Sequence, residues 1–421
     1  MADSFLDTDS LVAAVEAADF DRPPALVANA HITGVSVARA LAARDVPVIA
    51  LDRNGDGYAP PSDAVAFAGE VTYPLDDLDG FRRDVERVAD AAGVACVAFP
   101  CMDDWVRGFA ETEPDGVVLP FSDHDGIERV LDKDNLYRRC EELGVPYPET
   151  HRLDGHDDRD AAVDAAVDAL GFPLVVKPAH KRKFEEAFGT NVIEVDGRDE
   201  LDRVVADAAA ADATVLLQEK VNVEVGADAS FGSYVSPDGD ALGVVANAAV
   251  RFPREFGTSC LVETVDEPAV RDRALAVLEA TDYHGISESE FVYDVDREEY
   301  VLLDINTRPW KWVSMPVQAG ANLPLAAYRD AVADLDAADV QYDPGEPGEA
   351  RWVYLRDYLE LCLTDSAFWD VLSRDDWTAL LSGDFEADDR LTTGLYRPSD
   401  PAPAAKLLDG EFTDRDYYCS C

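Results

Sequence analysis

The segment 289–312 carries polar side chains that could together bind a cation and a phosphate. Two runs rich in Val, Tyr, Leu and Phe flank the polar stretch 294–299, and this pattern predicts an antiparallel hairpin with a loop of more than two residues. A turn centred within that stretch places Glu290 opposite Asp304 across the hairpin. Because side chains alternate along a strand, Asn306 and Arg308 lie on the same face as Asp304. These four side chains form either a site for a hard cation and a phosphate or a solvated sheet face, and the pattern alone favours neither interpretation.

The lysines point to a central site. The chain has only seven, and its other 29 basic residues are arginine. Six of the seven lie between residues 133 and 311. A chain that avoids surface lysine is expected to keep it where a compact ammonium group is needed. The alternative is that a few salt-bridge lysines remained by chance, which suits Lys406 best. The lysines are Lys133, Lys177, Lys181, Lys183, Lys220, Lys311 and Lys406.

Composition limits the class of protein. The chain has 421 residues, a hydrophobic content of 47% and a formal net charge of -50. This length predicts about two to four domains. The acidic residues are spread through every segment, which predicts a surface adapted to high salt, as in a halophilic archaeon. Such a negative field excludes nucleic acid as a favoured partner.

Cysteine usage and hydropathy predict a soluble, cytoplasmic protein. The seven cysteines form no CxxC pair, which indicates reduced thiols rather than a disulfide framework. Cys419 and Cys421 could bind a soft metal, but a frayed terminus is favoured. No apolar run reaches the length of a membrane span, and the acidic N-terminus does not resemble a signal peptide. We therefore expect no membrane partner.

Residues 23–125 show the strand, loop, helix and strand order of a Rossmann-like, open parallel α/β domain, after an acidic N-terminal helix in residues 1–22. The loop after the first strand contains Gly34 but no GxGxxG motif. Asp52, at the end of the second strand, therefore supports dinucleotide binding only weakly. The favoured role for this domain is a wall on the substrate side. Its predicted strands are 25–30, 46–52, 95–99 and 116–119.

Two lysines further along the chain are placed to meet phosphate groups. Lys133 directly precedes a predicted helix, and the scarcity of lysine favours phosphate contact over a plain surface position. Lys177 ends the apolar strand PLVVKP, where a buried ammonium group needs an anionic partner. The basic loop 180–190 follows. In it, Lys181 and Arg182 either cover phosphates as a lid or stay solvated.

These features, taken in order, resemble the ATP-grasp superfamily. The order is a lysine at a helix entry, the PLVVKP strand, a charged loop, a QEKV strand followed by further acids, and a final EF and LLDINTR hairpin. The resemblance covers roughly residues 126–330, and the preceding α/β domain is similar to the one that ordinarily precedes an ATP-grasp domain. Within the superfamily the chain most resembles the carboxylate–amine ligases, a group that includes D-aspartate ligase.

The resemblance implies a fold of the α/β and α+β classes. An ATP-grasp domain would occupy residues 126–335, with two α+β subdomains, 126–213 and 214–335, that clamp ATP. A small C-terminal extension, 336–421, would pack on this ligase core, and the sequence does not reveal its function.

The resemblance also implies roles for single residues. The lysines would contact the ATP phosphates, residues 218–221 would line the adenine slot, and Glu224 would bind ribose. The implied ATP-binding residues are Lys133, Lys177, Gln218, Glu219, Lys220, Val221, Glu224 and Asp228. The implied metal ligands, for Mg²⁺ with Mn²⁺ as an alternative, are Glu290, Asp304 and Asn306. The catalytic candidates are Arg308 for the charge on the transferring phosphoryl group, Arg251 for the substrate carboxylate, and Lys181.

The chain departs from the family pattern at two places. The loop carrying residues 181–183 lacks the glycine cluster of many members, which leaves open whether it binds phosphate or substrate. Asp304 stands where glutamate is usual, which can alter how the carboxylate meets a metal. Beyond the hairpin, Trp310 and Trp312 flank Lys311. Either all three residues shape the acceptor pocket, or the two tryptophans pack in the core around a snorkelling lysine.

The implied activity is ATP-dependent ligation of a small-molecule carboxylate to an amine through an acyl phosphate, with release of ADP and phosphate. Positioning and charge neutralisation carry this chemistry, so no Ser–His or Cys–His nucleophile pair is required. Two alternatives are an NAD(P)-dependent oxidoreductase that uses the N-terminal α/β domain and a non-catalytic ATP-binding regulator. The sequence leaves the acid, the amine and a homodimer open.

Overall fold

The computed structural model of the chain describes residues 4–153, 159–178, 184, 187–190, 192–254, 257–333, 335, 342, 345–387 and 390–412. The chain forms two compact units. The first unit comprises residues 1–131, 228–290 and 304–421, and the second comprises 132–227 and 291–303. The domain boundaries predicted from the sequence stay predictions.

The N-terminal part of the first unit is a parallel five-stranded sheet with the order β3-β2-β1-β4-β5, which confirms the predicted open α/β arrangement. Every residue of β1, β2 and β4 is buried, as expected for parallel strands with both faces covered. The strands are β1 (Ala25–Ala28), β2 (Val48–Asp52), β3 (Phe67–Glu70), β4 (Cys96–Pro100) and β5 (Val117–Val118). The helices are α1 (Thr8–Glu16), α2 (Ile32–Ala42), α3 (Leu78–Ala92), α4 (Asp103–Thr112) and α5 (His124–Leu131).

The second unit contains an antiparallel four-stranded sheet with the order β6-β9-β7-β8. Its core is formed by Leu174 and Val176 of β7, Leu217 of β9 and residues from two helices, including Val163 and Leu201. The strands are β6 (Thr150–Arg152), β7 (Leu174–Pro178), β8 (Ile193–Val195) and β9 (Val215–Glu219). The helices are α6 (Lys133–Leu143), α7 (Arg159–Leu170) and α8 (Arg198–Ala210).

The remainder of the chain builds a seven-stranded sheet with the order β14-β13-β10-β11-β12-β15-β16. The strands are β10 (Ala229–Val235), β11 (Ala241–Phe252), β12 (Thr258–Thr264), β13 (Gly285–Asp294), β14 (Glu299–Asn306), β15 (Arg351–Val353) and β16 (Leu391–Thr393). The helices are α9 (Pro268–Ala280), α10 (Ser314–Gln318), α11 (Leu323–Val332), α12 (Leu355–Thr364), α13 (Arg374–Ser382) and α14 (Ala402–Phe412), with 3₁₀ turns at Ser366–Asp370 and Asp384–Ala387. None of the helices described has the length and apolar character needed to cross a membrane.

The C-terminal region is part of this sheet. Strand β15 pairs antiparallel with β12, and β16 pairs parallel with β15. Trp352 of β15 is fully buried in the main core of the first unit. The region predicted as an extension that packs on the core therefore supplies two strands of the sheet itself.

Gly232 offers a test of the packing beneath the hairpin. A Cβ atom at Gly232 of β10 would lie 2.3 Å from Cζ2 of Trp310, a side chain that is 2% exposed. We expect Gly232→Ala to lower the free energy of unfolding by about 1–3 kcal/mol, because an overpacked core forces neighbouring groups to move. Denaturant titration measures this change. Gly345→Ala is the matched control, because Gly345 is exposed outside helices and strands and no atom lies within 4 Å of its new Cβ. Equal stability of the two variants would contradict the packing described for Trp310.

Candidate active site

The two strands of the predicted hairpin bring carboxylates and an amide together. The strands end at Asp294 and begin at Glu299, as the polar stretch in the sequence predicts. The Asn306 side chain, 4% exposed, donates from Nδ2 to Oε1 of Glu290 at 2.8 Å and to Oε2 of Glu288 at 3.3 Å. Two carboxylates thus converge on one donor group. Asp304 lies on the same strand as Asn306, and its Oδ1 accepts the backbone N–H of Ile305 at 2.8 Å.

Arg308 follows this strand and pairs with the N-terminal α/β part of the first unit. Its Nε donates to Oδ1 of Asp103 at 2.7 Å, and its Nη1 donates to the carbonyl of Pro309 at 3.1 Å. Asp103 begins α4 just after β4, at the carboxyl end of a parallel strand, where open α/β sheets bind ligands. Burial lowers the pKa of Arg308, but Asp103, Glu288 and Glu290 outweigh this effect and raise it. The guanidinium group is therefore held positively charged and fixed in orientation.

Arg251 is a second cation of the first unit, and its side chain is half-buried. Its Nε donates to Oδ2 of Asp228 at 2.6 Å, and its Nη1 donates to the carbonyl of Gly257 at 3.0 Å. Burial lowers the pKa of Arg251, but the coulombic effects of Asp228 and then Glu290 raise it above the usual value. Asp228 thus pairs with a predicted catalytic arginine, and its predicted ribose contact stays a prediction.

The second unit carries most of the predicted nucleotide-binding residues. Lys133 is the first residue of α6, and Lys177 lies on β7, the strand that ends at Pro178. The Gln218 side chain is buried, and its Nε2 donates to Oγ1 of Thr150 at 2.7 Å and to the hydroxyl of Tyr137 at 3.2 Å. This amide is therefore used inside the unit, and an adenine contact by its side chain stays a prediction.

The other residues predicted to contact adenine or ribose follow Gln218 along the chain. Oε1 of Glu219 accepts Nη2 of Arg297 at 2.6 Å, and Lys220 forms an ion pair with Glu194. Val221 is half-buried and Glu224 is exposed. Their predicted contacts with adenine and ribose stay predictions. Lys181, with Arg182 and Lys183, lies outside the described residues.

The segment after Arg308 belongs to the core. Trp310 and Trp312 are 2% and 3% exposed, and their ring centroids lie 4.9 Å apart. Lys311 Nζ donates to Oγ1 of Thr258 and to Oδ2 of Asp357, both at 3.0 Å, and lies 4.2 Å from the ring centroid of Tyr354. Of the two interpretations drawn from the sequence, the packing favours core tryptophans around a buried, paired lysine.

The Asp52 side chain binds backbone groups within the N-terminal α/β part. Its side chain is 1% exposed, Oδ2 accepts the backbone N–H of Ala30, and Oδ1 accepts that of Arg53, both at 2.8 Å. The carboxylate thus holds the loop between β1 and α2. This geometry further weakens the dinucleotide-binding alternative.

Comparisons with known proteins identify the fold. No protein-family model matches the chain. The chain is similar to the C-terminal section of the carbamoyl phosphate synthase large chain of Methanopyrus kandleri, with 24% identity over 248 residues, covering 55% of this chain and 44% of that protein. It is also similar to D-aspartate ligase of Enterococcus faecium, with 22% identity over 250 residues, covering 56% of this chain and 57% of that protein. The chain thus spans about half the length of these curated relatives.

Among solved structures, the chain is similar to N5-carboxyaminoimidazole synthetase from Staphylococcus aureus, with a TM-score of 0.61 and 12% identity. The likeness covers 82% of this chain and 86% of that one. The chain has the ATP-grasp fold. The fold class predicted from the sequence is thereby confirmed.

In this ATP-grasp fold, the oxygen-rich face of β13 and β14 suits a hard divalent cation. The side chains of Glu290, Asp304 and Asn306 supply only oxygen ligands, which Mg²⁺ prefers. The amide nitrogen of Asn306 sits between two carboxylates, a position at which positive charge is stabilised. The donor set therefore fits the predicted metal, and the assignment of these residues as ligands stays a prediction.

Two residues of this candidate site were not predicted from the sequence. Glu288 precedes Glu290 by two positions, so strand alternation could have placed both on one face. Asp103 lies 205 positions from Arg308, and no local pattern joins them. Its one signal was an acid at the carboxyl end of a predicted parallel strand.

Proposed function

We propose that this chain is an ATP-dependent ligase that joins a carboxylate to an amine through an acyl phosphate. The observation that carries the proposal is the cluster in which a charged Arg308, with 11% of its side chain exposed, stands beside Glu288 and Glu290. A fixed guanidinium next to a cation-binding face is the arrangement that phosphoryl transfer requires. The names of similar proteins support the same chemistry, since they include D-aspartate ligase and D-alanine–D-alanine ligase.

In the first step, a carboxylate oxygen of the substrate attacks the γ-phosphorus of ATP. The bond from that phosphorus to the bridging oxygen breaks, and ADP leaves with the electron pair. Arg308 neutralises charge that develops on the transferring group. Arg251 binds the substrate carboxylate, and its pairing with Asp228 keeps its guanidinium oriented.

In the second step, the amine nitrogen attacks the acyl carbon, the bond from carbon to the phosphate oxygen breaks, and phosphate leaves. The nitrogen gives a proton to solvent, and an amide remains. Glu290, Asp304 and Asn306 would hold Mg²⁺, which when bound neutralises phosphate charge. Lys133 and Lys177 bind the phosphates in this proposal.

The proposed function includes a cellular environment of high salt concentration. A net charge of -50 supports work in concentrated salt, in the cytoplasm of a halophilic archaeon, on small-molecule substrates. An assay of the protein therefore needs a high salt concentration.

The purified chain in molar KCl is expected to release ADP only when a suitable carboxylate is present. The assay supplies Mg-ATP with single acids, including D-aspartate, D-alanine and L-glutamate, and measures ADP by chromatography. With hydroxylamine in place of the amine, the acyl phosphate is expected to give a hydroxamate, detected by its iron complex. ATP binding without acid-dependent ADP release across the panel would contradict the ligase and favour a non-catalytic regulator.

A further inference from the structure

A histidine and two aspartates meet at the carboxyl ends of β1 and β2, in the N-terminal α/β part of the first unit. His31 directly precedes α2, Asp52 is the last residue of β2, and Asp56 lies in the loop that follows. Nε2 of the histidine and one carboxylate oxygen of each aspartate lie within 4.8 Å of one another. The proposed ligation uses none of these three side chains, and their spacing is that of a metal-binding set.

The distances within this group are too long for good hydrogen bonds. Nε2 of His31 lies 3.5 Å from Oδ1 of Asp56 and 3.7 Å from Oδ2 of Asp52. An N–H group in a protein hydrogen bond lies about 2.7–3.2 Å from its acceptor. Ligand atoms that are each about 2.0–2.2 Å from a tetrahedral zinc ion lie about 3.4 Å from one another. The observed distances are therefore closer to those between ligands of one cation.

The His31 imidazole is shielded from solvent and fixed in orientation. Its side chain is 14% exposed, and the ring of Tyr58 meets it edge-on, with the ring centroids 5.4 Å apart. Its Nδ1 is buried and has no hydrogen-bond partner in the part of the chain that the structure describes. An imidazolium ion would thus bury an unpaired N–H of a charged group, which costs more free energy than the same N–H of a neutral ring. A neutral ring that binds a cation through Nε2 avoids this cost.

The charges of the group favour a cation between its members. The Asp52 side chain is 1% exposed, and burial raises the pKa of its carboxyl group. Its negative charge therefore needs a positive partner. Burial lowers the pKa of His31, but Asp56 and Asp52 outweigh this effect and raise it, so positive charge is stabilised at the imidazole. A divalent ion would balance the two carboxylates in full.

Backbone groups orient the buried carboxylate of Asp52. Its Oδ2 accepts the N–H of Ala30, and its Oδ1 accepts the N–H of Arg53, both at 2.8 Å. Each carboxylate oxygen has two lone pairs, so one stays available on Oδ2 for a cation. Carboxylates that bind metals are commonly held by such additional hydrogen bonds. The carboxylate is thus positioned in advance of any ligand.

The loop that carries Asp56 is folded back against Asp52. The N–H of Tyr58 donates to the carbonyl of Ala30 at 2.9 Å, which ties the end of this loop to the residues after β1. A Cβ atom at Gly57 would lie 2.8 Å from Oδ2 of Asp52, so this approach requires glycine. The fold therefore brings the second aspartate to the histidine by a close backbone contact.

We propose that His31, Asp52 and Asp56 bind a divalent transition-metal ion of the zinc class. One imidazole nitrogen and two carboxylate oxygens suit Zn²⁺, whereas Mg²⁺ prefers oxygen ligands alone. The Asp56 side chain is 47% exposed, so the ion reaches the group from solvent and water completes its coordination. The site shares no residue with the proposed magnesium ligands, and it does not depend on the ligase function.

Calorimetric titration with Zn²⁺ tests the proposal without turnover. The full chain is freed of metal with a chelator and kept in molar KCl, with Mg²⁺ in excess to occupy sites made only of oxygen. Cys419→Ser and Cys421→Ser are present throughout, because thiolates also bind zinc. We expect a single Zn²⁺ per chain. His31→Ala and Asp56→Ala are each expected to lower the affinity by at least about 10- to 100-fold, the loss found even for residues that only support a ligand.

Two controls and a spectrum make the result specific. His151→Ala is the matched control, because His151 lies 3.1 Å from a carboxylate oxygen of Glu149, and it is expected to keep the zinc affinity. X-ray absorption of the bound zinc is expected to show an imidazole ligand, and His31→Ala should lose that signal. Asp304→Ala, which removes a proposed magnesium ligand, is expected to bind zinc as the wild type does. Asp56→Ala changes an exposed side chain, so it also serves if His31→Ala fails to fold.

Three outcomes would overturn the proposal. Absence of zinc binding in the parent chain would leave these side chains as an ion-paired group. Unchanged zinc affinity in a folded His31→Ala or Asp56→Ala variant would exclude the changed side chain as a ligand. A loss of affinity in Asp304→Ala without a loss in His31→Ala would place the ion at the oxygen-rich face of β13 and β14.

Discussion

Replacing Arg308 by alanine is expected to lower kcat/KM for the carboxylate by about 1,000-fold, a loss of about 4 kcal/mol in transition-state stabilisation. The reason is that Arg308 is largely shielded from solvent, charged and fixed by Asp103, so in the proposed reaction its charge would meet the phosphoryl group without reorganisation. Carboxylate-dependent ADP release measures the effect.

Lysine is a poor substitute at this position. Arg308 uses Nε for Asp103 and Nη1 for the carbonyl of Pro309, and a single ammonium group cannot reproduce this fork. Arg308→Lys is therefore expected to stay well below the wild-type rate. The matched control is Arg82→Ala, since Arg82 forms an exposed surface pair with Glu86. A less than tenfold loss in Arg308→Ala would remove Arg308 from the transition state.

Removal of the proposed metal ligands is expected to have the second large effect. Asp304→Ala and Asn306→Ala should each lower the rate of ADP release by about 100- to 1,000-fold and raise the free Mg²⁺ concentration needed for half-maximal activity. Weaker metal binding removes the neutralisation of phosphate charge, which accounts for both changes. Titration of ADP release with free Mg²⁺ measures them.

A second measurement makes this test independent of turnover. Binding of Mn²⁺ in the presence of a non-hydrolysable ATP analogue can be followed by electron spin resonance, and both variants are expected to bind it more weakly. Asp238→Ala, exposed in the turn between β10 and β11, is the matched control. Wild-type rates and Mn²⁺ affinity in Asp304→Ala would refute its assignment as a ligand.

Local patterns predicted the elements that position the site. The apolar runs on either side of 294–299 predicted β13 and β14, because a polar stretch between two strand-like runs has few other solutions. The buried strands β1, β2 and β4 were predicted from apolar runs that alternate with a helical pattern. Strand β3, with the sequence FAGE, was missed because it is short and lacks the β-branched residues typical of strands.

Pairings between distant residues were not predictable. Asp103 and Arg308, and likewise Asp228 and Arg251, come together only when the chain has folded. Periodicity reports which face a side chain takes but not which partner it meets. For Trp310, the sequence left both the pocket and the core open, and the burial of its ring against Gly232 of β10 decides for the core.

The strands β15 and β16 have a consequence for how the protein is made. Strand β12 receives its outer neighbours from residues 351–353 and 391–393, and Arg39 of α2 binds Oδ2 of Asp400 at 2.9 Å. On the ribosome, the growing chain therefore exposes an unpaired edge of β12 until residues 351–353 have been synthesised, and α2 lacks its partner until residue 400 has followed. Such late contacts slow folding and leave nascent chains prone to association. Efficient production of the protein should thus depend on chaperones that cover this edge until it is paired.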